Sequence, residues 1–223
     1  MRTLSFLLLF VATLSFAQQK ETRKLSSFDA IDVSEGIEVI LEKGSPEARV
    51  EVSGADLNDV ITEVSGGTLN IEMRGNNNYR NLEVTVYVKF ESINEIDASS
   101  AANVVFKSTI SGRELDIDVS SAAYVRADVD VSAIHIDISS SGKVELTGKA
   151  EEQEVDISSA ASLEADEMVS RIADIEVTSA GSASVQVTEE LRAEANSAGR
   201  VSYKGNPERV FADSSSGGKV RKY

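Results

Sequence analysis

The chain has 223 residues, with 37 acidic and 22 basic side chains, a net charge of −15 and no cysteine. The negative charge argues against nucleic acid and anionic membrane surfaces as partners, because both repel an acidic protein. The absence of cysteine excludes disulfide bonds, so the fold depends on packing and hydrogen bonding alone.

The first residues have the three parts of a secretory signal peptide. The basic residue Arg2 is followed by an apolar run over residues 4–11 and by the small residue Ala17. This pattern predicts that residues 1–17 are removed on export and that residues 18–223 form one domain, in the periplasm or at the cell surface. Because no later stretch reaches the roughly 20 apolar residues of a spanning helix, we expect no transmembrane segment in the mature chain.

Residues 18–93 are predicted to form irregular coils that share the architecture of the regular repeats in residues 94–223. Within the irregular part, the segment Ile31 to Val39 aligns without a gap with Ile136 to Val144 of a later repeat. The alignment predicts a first coil there.

Residues 94–223 contain one sequence motif seven times at a spacing of about 19 residues. In residues 117–123 this motif is Ile-Asp-Val-Ser-Ser-Ala-Ala, and the alternation of apolar and polar residues before the serines is typical of a half-buried β-strand. The small residues predict a tight corner, where glycine can adopt positive φ and serine hydroxyls can bond backbone groups. The second serine of each corner is Ser100, Ser121, Ser140, Ser159, Ser179, Ser197 or Ser216.

A fixed period of this length predicts an all-β fold, a parallel β-helix (β-solenoid) whose coils bury their apolar faces against one another. Nineteen residues at about 3.3 Å each span roughly 60 Å, which suits one turn of a three-sided coil better than a hairpin. A second strand follows each corner, and a third short strand is predicted around Val129–Val131. An antiparallel β-sandwich is the alternative fold.

Several segments occur in a characteristic order: the signal peptide, Phe28 to Val39, the serine- and glycine-rich coils, and the closing segment Val201 to Pro207. In this order they resemble the bacterial head-GIN family, also called DUF2807, over nearly the whole mature chain. The Gly-Ile-Asn that names the family occurs here as Gly36-Ile37-Glu38, and the family's corner glycine pairs are often Ser-Ala or Ala-Ala. The resemblance implies a right-handed β-helix similar in shape to pectin lyases but without their catalytic residues, acting as an adhesin head.

An acidic residue precedes each serine corner on the predicted outward face, and we call this set the acid ladder. Stacked about 5 Å apart, two such carboxylates would repel by roughly 0.8 kcal/mol in water. One explanation is binding of a divalent cation such as Ca²⁺, which prefers oxygen ligands. The other, which we favour, is screening by solvent, salt and nearby lysines or arginines. The acid ladder comprises Asp97, Asp118, Asp137, Asp156, Glu176, Glu194 and Asp213, with Asp32 in the first coil.

The repeats do not predict a catalytic site. The seven serines occupy equivalent positions, whereas catalysis needs a unique arrangement of nucleophile, base and orienting group, so a structural role at the corners is favoured. The single histidine, His135, is expected on the outward face beside Asp137, but one histidine without cysteine cannot build the usual zinc site. We therefore expect no enzyme and no cofactor, and paired carboxylates of a polysaccharide hydrolase or lyase are the best enzymatic alternative.

The favoured function is a non-catalytic adhesion module whose partner is a glycan or a protein on a cell surface. Aromatic residues for stacking against sugars are few, and by its position in the repeat Tyr124 is expected to face outward. A structural envelope protein that self-associates through the open edge of the last coil, residues 210–223, is the alternative. The candidate aromatic residues are Tyr79, Tyr87, Tyr124 and Tyr203.

Overall fold

The computed structural model describes residues 18–75, 79 and 81–223, and the predicted signal peptide lies outside the described residues. This part of the chain is all-β, with 17 strands in one continuous sheet and a short 3₁₀ helix at Leu57–Asp59. None of the helices in the described ranges is long and apolar enough to cross a membrane.

In chain order, the strands are β1 (Gln19–Lys24), β2 (Ala30–Val33), β3 (Glu38–Lys43), β4 (Glu47–Ser53), β5 (Val60–Ser65), β6 (Thr68–Met73), β7 (Glu83–Phe90), β8 (Glu95–Ala98), β9 (Asn103–Phe106), β10 (Ile110–Val119), β11 (Tyr124–Ile138), β12 (Lys143–Ile157), β13 (Ser162–Val177), β14 (Ser182–Ala195), β15 (Arg200–Lys204), β16 (Arg209–Ser214) and β17 (Lys219–Lys222).

From β10 onward, each strand pairs in parallel with the equivalent strand of the next coil. Tyr124 pairs with Lys143 and Ile136 pairs with Val155, an offset of 19 residues in both cases. The predicted parallel β-solenoid is therefore confirmed, and the antiparallel sandwich is excluded.

Each regular coil has three strand segments. The first side precedes the serine corner, the second side follows it, and the third side completes the turn. The third segment is clear at Val129–Val131, which pairs with residues 110–112 of the preceding coil and residues 148–150 of the next. The predicted third strand is thus confirmed, although it runs into its neighbours as part of one long, bent strand.

The N-terminal part contains the predicted first coil, together with pairings that the sequence did not predict. β2 and β3 pair in parallel with β8 and β9, so Asp32 lies beside Asp97 and Val39 beside Val104. β6 and β7 pair with the opposite edges of β2 and β3. The coil of β2 and β3, which comes first in the sequence, is therefore second in the stack, and β6 and β7 form the terminal coil. Three antiparallel pairs, β1–β4, β4–β7 and β5–β6, surround this terminal coil. Such strands cover a core that a simple stack would leave open.

The core lies inside the coils, where the inward residues of successive coils stack. One inward column, next to the acid ladder, is at most 2% exposed along its length, as expected for residues that remove apolar surface from water. Two polar residues, Gln153 and Ser170, are also buried in the core. The column comprises Ile31, Ile96, Ile117, Ile136, Val155, Ile175 and Ala193.

In six of the seven serine corners, the two residues with positive φ are serine or alanine; in the seventh they are Ser216 and Gly217. Ser121 and Ala122 have φ of 52° and 62°, and the backbone N–H of Ala123 donates to the carbonyl of Ser120 at 3.0 Å. Two successive positive φ values and this hydrogen bond are features of a type I′ turn. The bonds between corners are also backbone bonds, as from Ala122 N–H to the Ser140 carbonyl at 3.0 Å.

Gly36 and Gly217 adopt positive φ as expected for corner glycines, at 70° and 82°, whereas Gly142 and Gly199, at the fourth corner position, do not. A Cβ there would lie 2.7 Å from the carbonyl oxygen of Val119 at Gly142, and 2.3 Å from that of Val177 at Gly199. These glycines allow the preceding coil to approach closely, whereas serine and alanine adopt the left-handed conformation, at roughly 1 kcal/mol per residue.

Candidate functional site

The acid ladder forms one continuous column along the first side. Backbone pairing places every member directly beside the next, so the structure brings together all eight acids that the sequence singled out. The successive pairs are Asp32–Asp97, Asp97–Asp118, Asp118–Asp137, Asp137–Asp156, Asp156–Glu176, Glu176–Glu194 and Glu194–Asp213.

A second column on the same side adds further acids. It lies two residues before the acid ladder in each strand, and its side chains point outward because alternate residues of a strand share a face. Together the two columns make the first side an extended acidic surface. The second column comprises Glu95, Asp116, His135, Glu154, Asp174, Arg192 and Phe211.

The basic side chains that we expected to screen the acid ladder bind other acids. Lys143, on the second side, is 2.8 Å from Glu145 and 2.9 Å from Glu164. Among the residues that the structure describes, no member of the acid ladder forms an ion pair with lysine or arginine.

Partial burial and neighbouring acids raise the pKa of three ladder acids. Partial burial, followed by repulsion from Glu95, Asp118 and Asp32, raises the pKa of Asp97 to about 6. Burial and the neighbouring acids also raise the pKa of Asp118 and that of Asp156. Relief of this repulsion by Ca²⁺ stays a prediction, which a melting temperature measured with and without millimolar calcium would test.

Four consecutive ladder acids line a shallow groove of about 290 Å³. This volume is at the lower limit of small-molecule pockets, so the groove suits contact with an extended surface better than enclosure of a ligand. The first hydroxyl residue of each corner, which also lines the groove, was not predicted as part of this site, although it recurs visibly in the repeats. The groove is lined by Asp118, Asp137, Asp156 and Glu176, with Ser139, Ser158 and Thr178 beside them.

The histidine contacts acids on adjacent coils rather than the acid on its own strand. Its Nδ1 is 3.1 Å from Oε2 of Glu154, and its Nε2 is 3.7 Å from Oε1 of Glu114. His135 lies on the same outward face of β11 as Asp137, as expected, but its contacts are with the acids of the neighbouring coils. Stacked coils lie about 4.8 Å apart, whereas alternate residues of one strand are more than 6 Å apart, so the neighbouring coils are closer.

The aromatic candidates do not form a sugar-stacking platform on the acidic surface. Tyr124 faces outward as predicted but lies on the second side, where its hydroxyl donates to Oε2 of Glu145 at 2.7 Å. Burial and this carboxylate raise the pKa of Tyr124 to about 12. Tyr87 stacks against the guanidinium of Arg49, whose Cζ lies 4.1 Å from the centre of the tyrosine ring.

A family model described as "Putative auto-transporter adhesin, head GIN domain" (DUF2807) matches residues 27–207. No curated protein matches the chain.

Three solved structures share the fold. A "putative adhesin" from Bacteroides fragilis is 16% identical with a TM-score of 0.80, and the match covers 94% of this chain and 98% of that one. A "putative adhesin" from Parabacteroides merdae is 21% identical with a TM-score of 0.74, covering 92% and 96%. A "Putative lipid binding protein" from Parabacteroides distasonis is 17% identical with a TM-score of 0.65, also covering 92% and 96%.

Proposed function

The chain belongs to the DUF2807 (head GIN domain) family, and from this premise we propose that it is a non-catalytic adhesion module that binds a cell-surface partner through its acidic first side. The observation that carries the proposal is the column of eight carboxylates in register, from Asp32 to Asp213. An uninterrupted column of one charge suits recognition of a surface of the opposite charge.

The uniformity of the acidic surface supports binding over catalysis. Nearly every coil offers a carboxylate and a hydroxyl residue at the same two positions, with Asn196 as the exception, and no coil in the described part combines them into a distinct triad. A catalytic site requires such a distinct arrangement, because nucleophile, base and orienting group have different roles.

The chemistry of the surface defines the partner. Carboxylates accept hydrogen bonds and attract cations, so the partner should present lysine and arginine side chains or the hydroxyl groups of a glycan. The raised pKa of Asp97, Asp118 and Asp156 indicates that positive charge placed on the ladder would be stabilised. A protein or glycan of the cell surface can supply these groups.

A charge-neutralising variant tests this proposal. We would substitute three central ladder acids, Asp118→Asn, Asp137→Asn and Asp156→Asn, and measure binding of the fluorescent domain to bacterial and host cells. The matched control removes three exposed acids that lie outside the ladder, Glu63→Gln, Glu72→Gln and Glu167→Gln. Both variants change the net charge equally.

We expect the ladder variant to lose at least about tenfold in binding and the control variant to retain it. Raising the ionic strength should weaken binding of the parent domain and affect the ladder variant less, since screening acts on the same charges. Equal binding by the parent domain and the ladder variant would contradict the proposal.

Exposure at the cell surface is the second part of the proposal. Protease treatment of intact cells should remove the mature chain while a periplasmic control protein survives. Survival of both proteins would confine the chain to the periplasm and contradict an adhesive role outside the cell.

One observation favours self-association as a second candidate function. The last coil has neighbours on one side only, and β16 is exposed along its whole length. Val210 and Phe211 are 43% and 53% exposed, which is unusual for large apolar side chains beside an open strand edge. A second copy of the chain could cover this end.

Sedimentation velocity over a wide concentration range tests the second candidate. Phe211→Ser should lower the fraction of oligomer, whereas Val169→Ser, which removes an exposed apolar residue from the third side, should not. A parent domain that stays monomeric at the highest concentration would contradict self-association.

A further inference from the structure

The only histidine of the chain lies in a cluster of metal-binding side chains on the first side. The donor atoms of Glu114, Asp116 and His135 all lie within 4.8 Å of one another. Asp116 is paired in register with His135, and Glu154 lies on the other side of the imidazole, one coil further along. Three successive coils thus contribute to one cluster.

We propose that Nε2 of His135 and the carboxylates of Glu114 and Asp116 bind a divalent transition metal of the zinc type. One imidazole with two carboxylates is not the usual zinc site of several histidines or cysteines. Imidazole nitrogen and carboxylate oxygen are nevertheless both ligands of divalent transition metals, whereas Ca²⁺ takes oxygen ligands alone. Three protein ligands leave coordination positions for water or for a donor group of a partner.

The contacts of the imidazole distinguish this cluster from the rest of the acidic surface. Glu154 Oε2 is 3.1 Å from Nδ1, whereas Oε1 of Glu114 lies 3.7 Å from the other ring nitrogen, Nε2. A carboxylate at Nδ1 favours the tautomer that carries the proton there, which leaves the lone pair of Nε2 facing Glu114. Metal-binding histidines commonly have such a partner, which orients the ring and raises its basicity.

The surroundings add a favourable field. In the described structure, Glu114, Asp116 and Glu154 form no ion pair with lysine or arginine, and the acid ladder runs alongside them. This negative potential raises the local concentration of any divalent cation, while the imidazole supplies the preference for a transition metal. The site is open, since the side chain of His135 is 42% exposed.

Calorimetric titration with zinc chloride tests the proposal, and it is independent of whether the first side binds a cell. We expect one zinc ion per chain, and calcium chloride should not compete at equal concentration. His135→Gln and Asp116→Asn should each weaken zinc binding at least about tenfold, and Glu154→Gln should weaken it roughly tenfold by disturbing the orienting contact.

Asp174→Asn is the matched control, because it removes an acid of the same column, two coils from the histidine. Zinc binding by this variant should stay within about twofold of the parent. Equal losses in Asp116→Asn and Asp174→Asn would overturn the site and indicate general accumulation of cations on the acidic surface.

A second readout uses the parent chain alone. With a single histidine, a ¹⁵N spectrum contains one pair of imidazole nitrogen signals. One equivalent of zinc should shift the Nε2 signal strongly, with Nδ1 remaining protonated. An unchanged pair of signals at saturating zinc would overturn the proposal.

Discussion

At the scale of single residues, the negative charge of Asp97 in the acid ladder opposes folding. The pKa of Asp97 is about 6 in the folded chain against an ordinary value of 3.8, so the folded state binds its proton more tightly than the unfolded state does. The folded state therefore loses stability as the pH rises from about 4 to about 6 and this carboxyl ionises. Because the ionised carboxylate lowers the stability of the free chain, a partner that neutralises this charge would stabilise the folded state when it binds.

We predict that Asp97→Asn stabilises the chain at pH 7. The increase in the free energy of unfolding should be on the order of 1 kcal/mol, less than the full pKa shift would give because water partly screens the site. Urea denaturation at pH 4, 5, 6 and 7 should show a smaller loss of stability across this range in the variant. Asp213→Asn, at the exposed end of the ladder, is the control and should change stability little.

The buried polar pair in the core is a second feature at this scale. Nε2 of Gln153 donates to Oγ of Ser170 at 2.7 Å, and that hydroxyl donates to the carbonyl of Gln186 at 3.1 Å. Oε1 of Gln153 has no hydrogen-bond partner in the described structure. The neighbouring residues of the Gln153 column are Ile134 and Ala173, so the pair interrupts an apolar stack.

We predict opposite effects for single and double substitutions of this pair. Ser170→Ala should destabilise the chain by about 1 to 3 kcal/mol, because it leaves the amide of Gln153 buried without a partner. Adding Gln153→Leu should restore the parent stability or exceed it, since both polar groups are then gone. Urea denaturation of the parent, both single variants and the double variant measures the coupling. A Ser170→Ala variant with the same free energy of unfolding as the parent would contradict this account.

At the scale of elements, the bends between strand segments depend on close approach of neighbouring coils. β12 bends at Gly148, which has φ of +101°, next to a register shift between Glu145 and Thr147. A Cβ at Gly148 would lie 2.1 Å from the carbonyl oxygen of Val129 on the preceding coil. Gly36 also has positive φ, at +70°, but no atom lies within 4 Å of its Cβ position.

The two glycines allow a matched test of steric contact against backbone strain. Gly148→Ala should cost about 3 kcal/mol or more, because the methyl group and the preceding coil cannot both keep their positions. Gly36→Ala should cost roughly 1 kcal/mol, the strain of a left-handed alanine. Thermal unfolding of the two variants measures the difference, and similar losses would show that strain alone decides both.

At the scale of the whole molecule, stability is distributed along the stack. An interior coil is supported by two neighbours, whereas the last coil, formed by β16 and β17, pairs only with β14 and β15 of the preceding coil. In a repeat protein each unit is stabilised chiefly through its contacts with neighbouring units. The C-terminal end should therefore open more easily than the middle.

Hydrogen exchange measures this gradient. Amides of β16 and β17 should exchange faster than those of β12 and β13, because local opening of the last coil breaks one interface instead of two. Protection of β16 equal to that of β12 would mean that the end is covered in solution, as self-association would require.

The repeat determined most of the solenoid by itself. The period of about 19 residues, the alternation in residues such as Ile117, Asp118 and Val119, and the small corner residues specify the coils, their register and the column of acids. These features are local and periodic, so a pattern in one dimension maps directly onto a stack with a constant repeat.

Only the tertiary structure decided the contacts that depend on the distance between coils. It placed β6 and β7 at the N-terminal end of the stack, outside β2 and β3, although they follow β2 and β3 in the sequence. In this position they remove the apolar end of the core from water. It also brought Glu114 and Glu154 to His135, from sequence separations of 21 and 19 residues. The alternation along one strand placed His135 beside Asp137, because that pattern relates residues of the same strand only. It gives no information about residues of neighbouring coils, which lie closer.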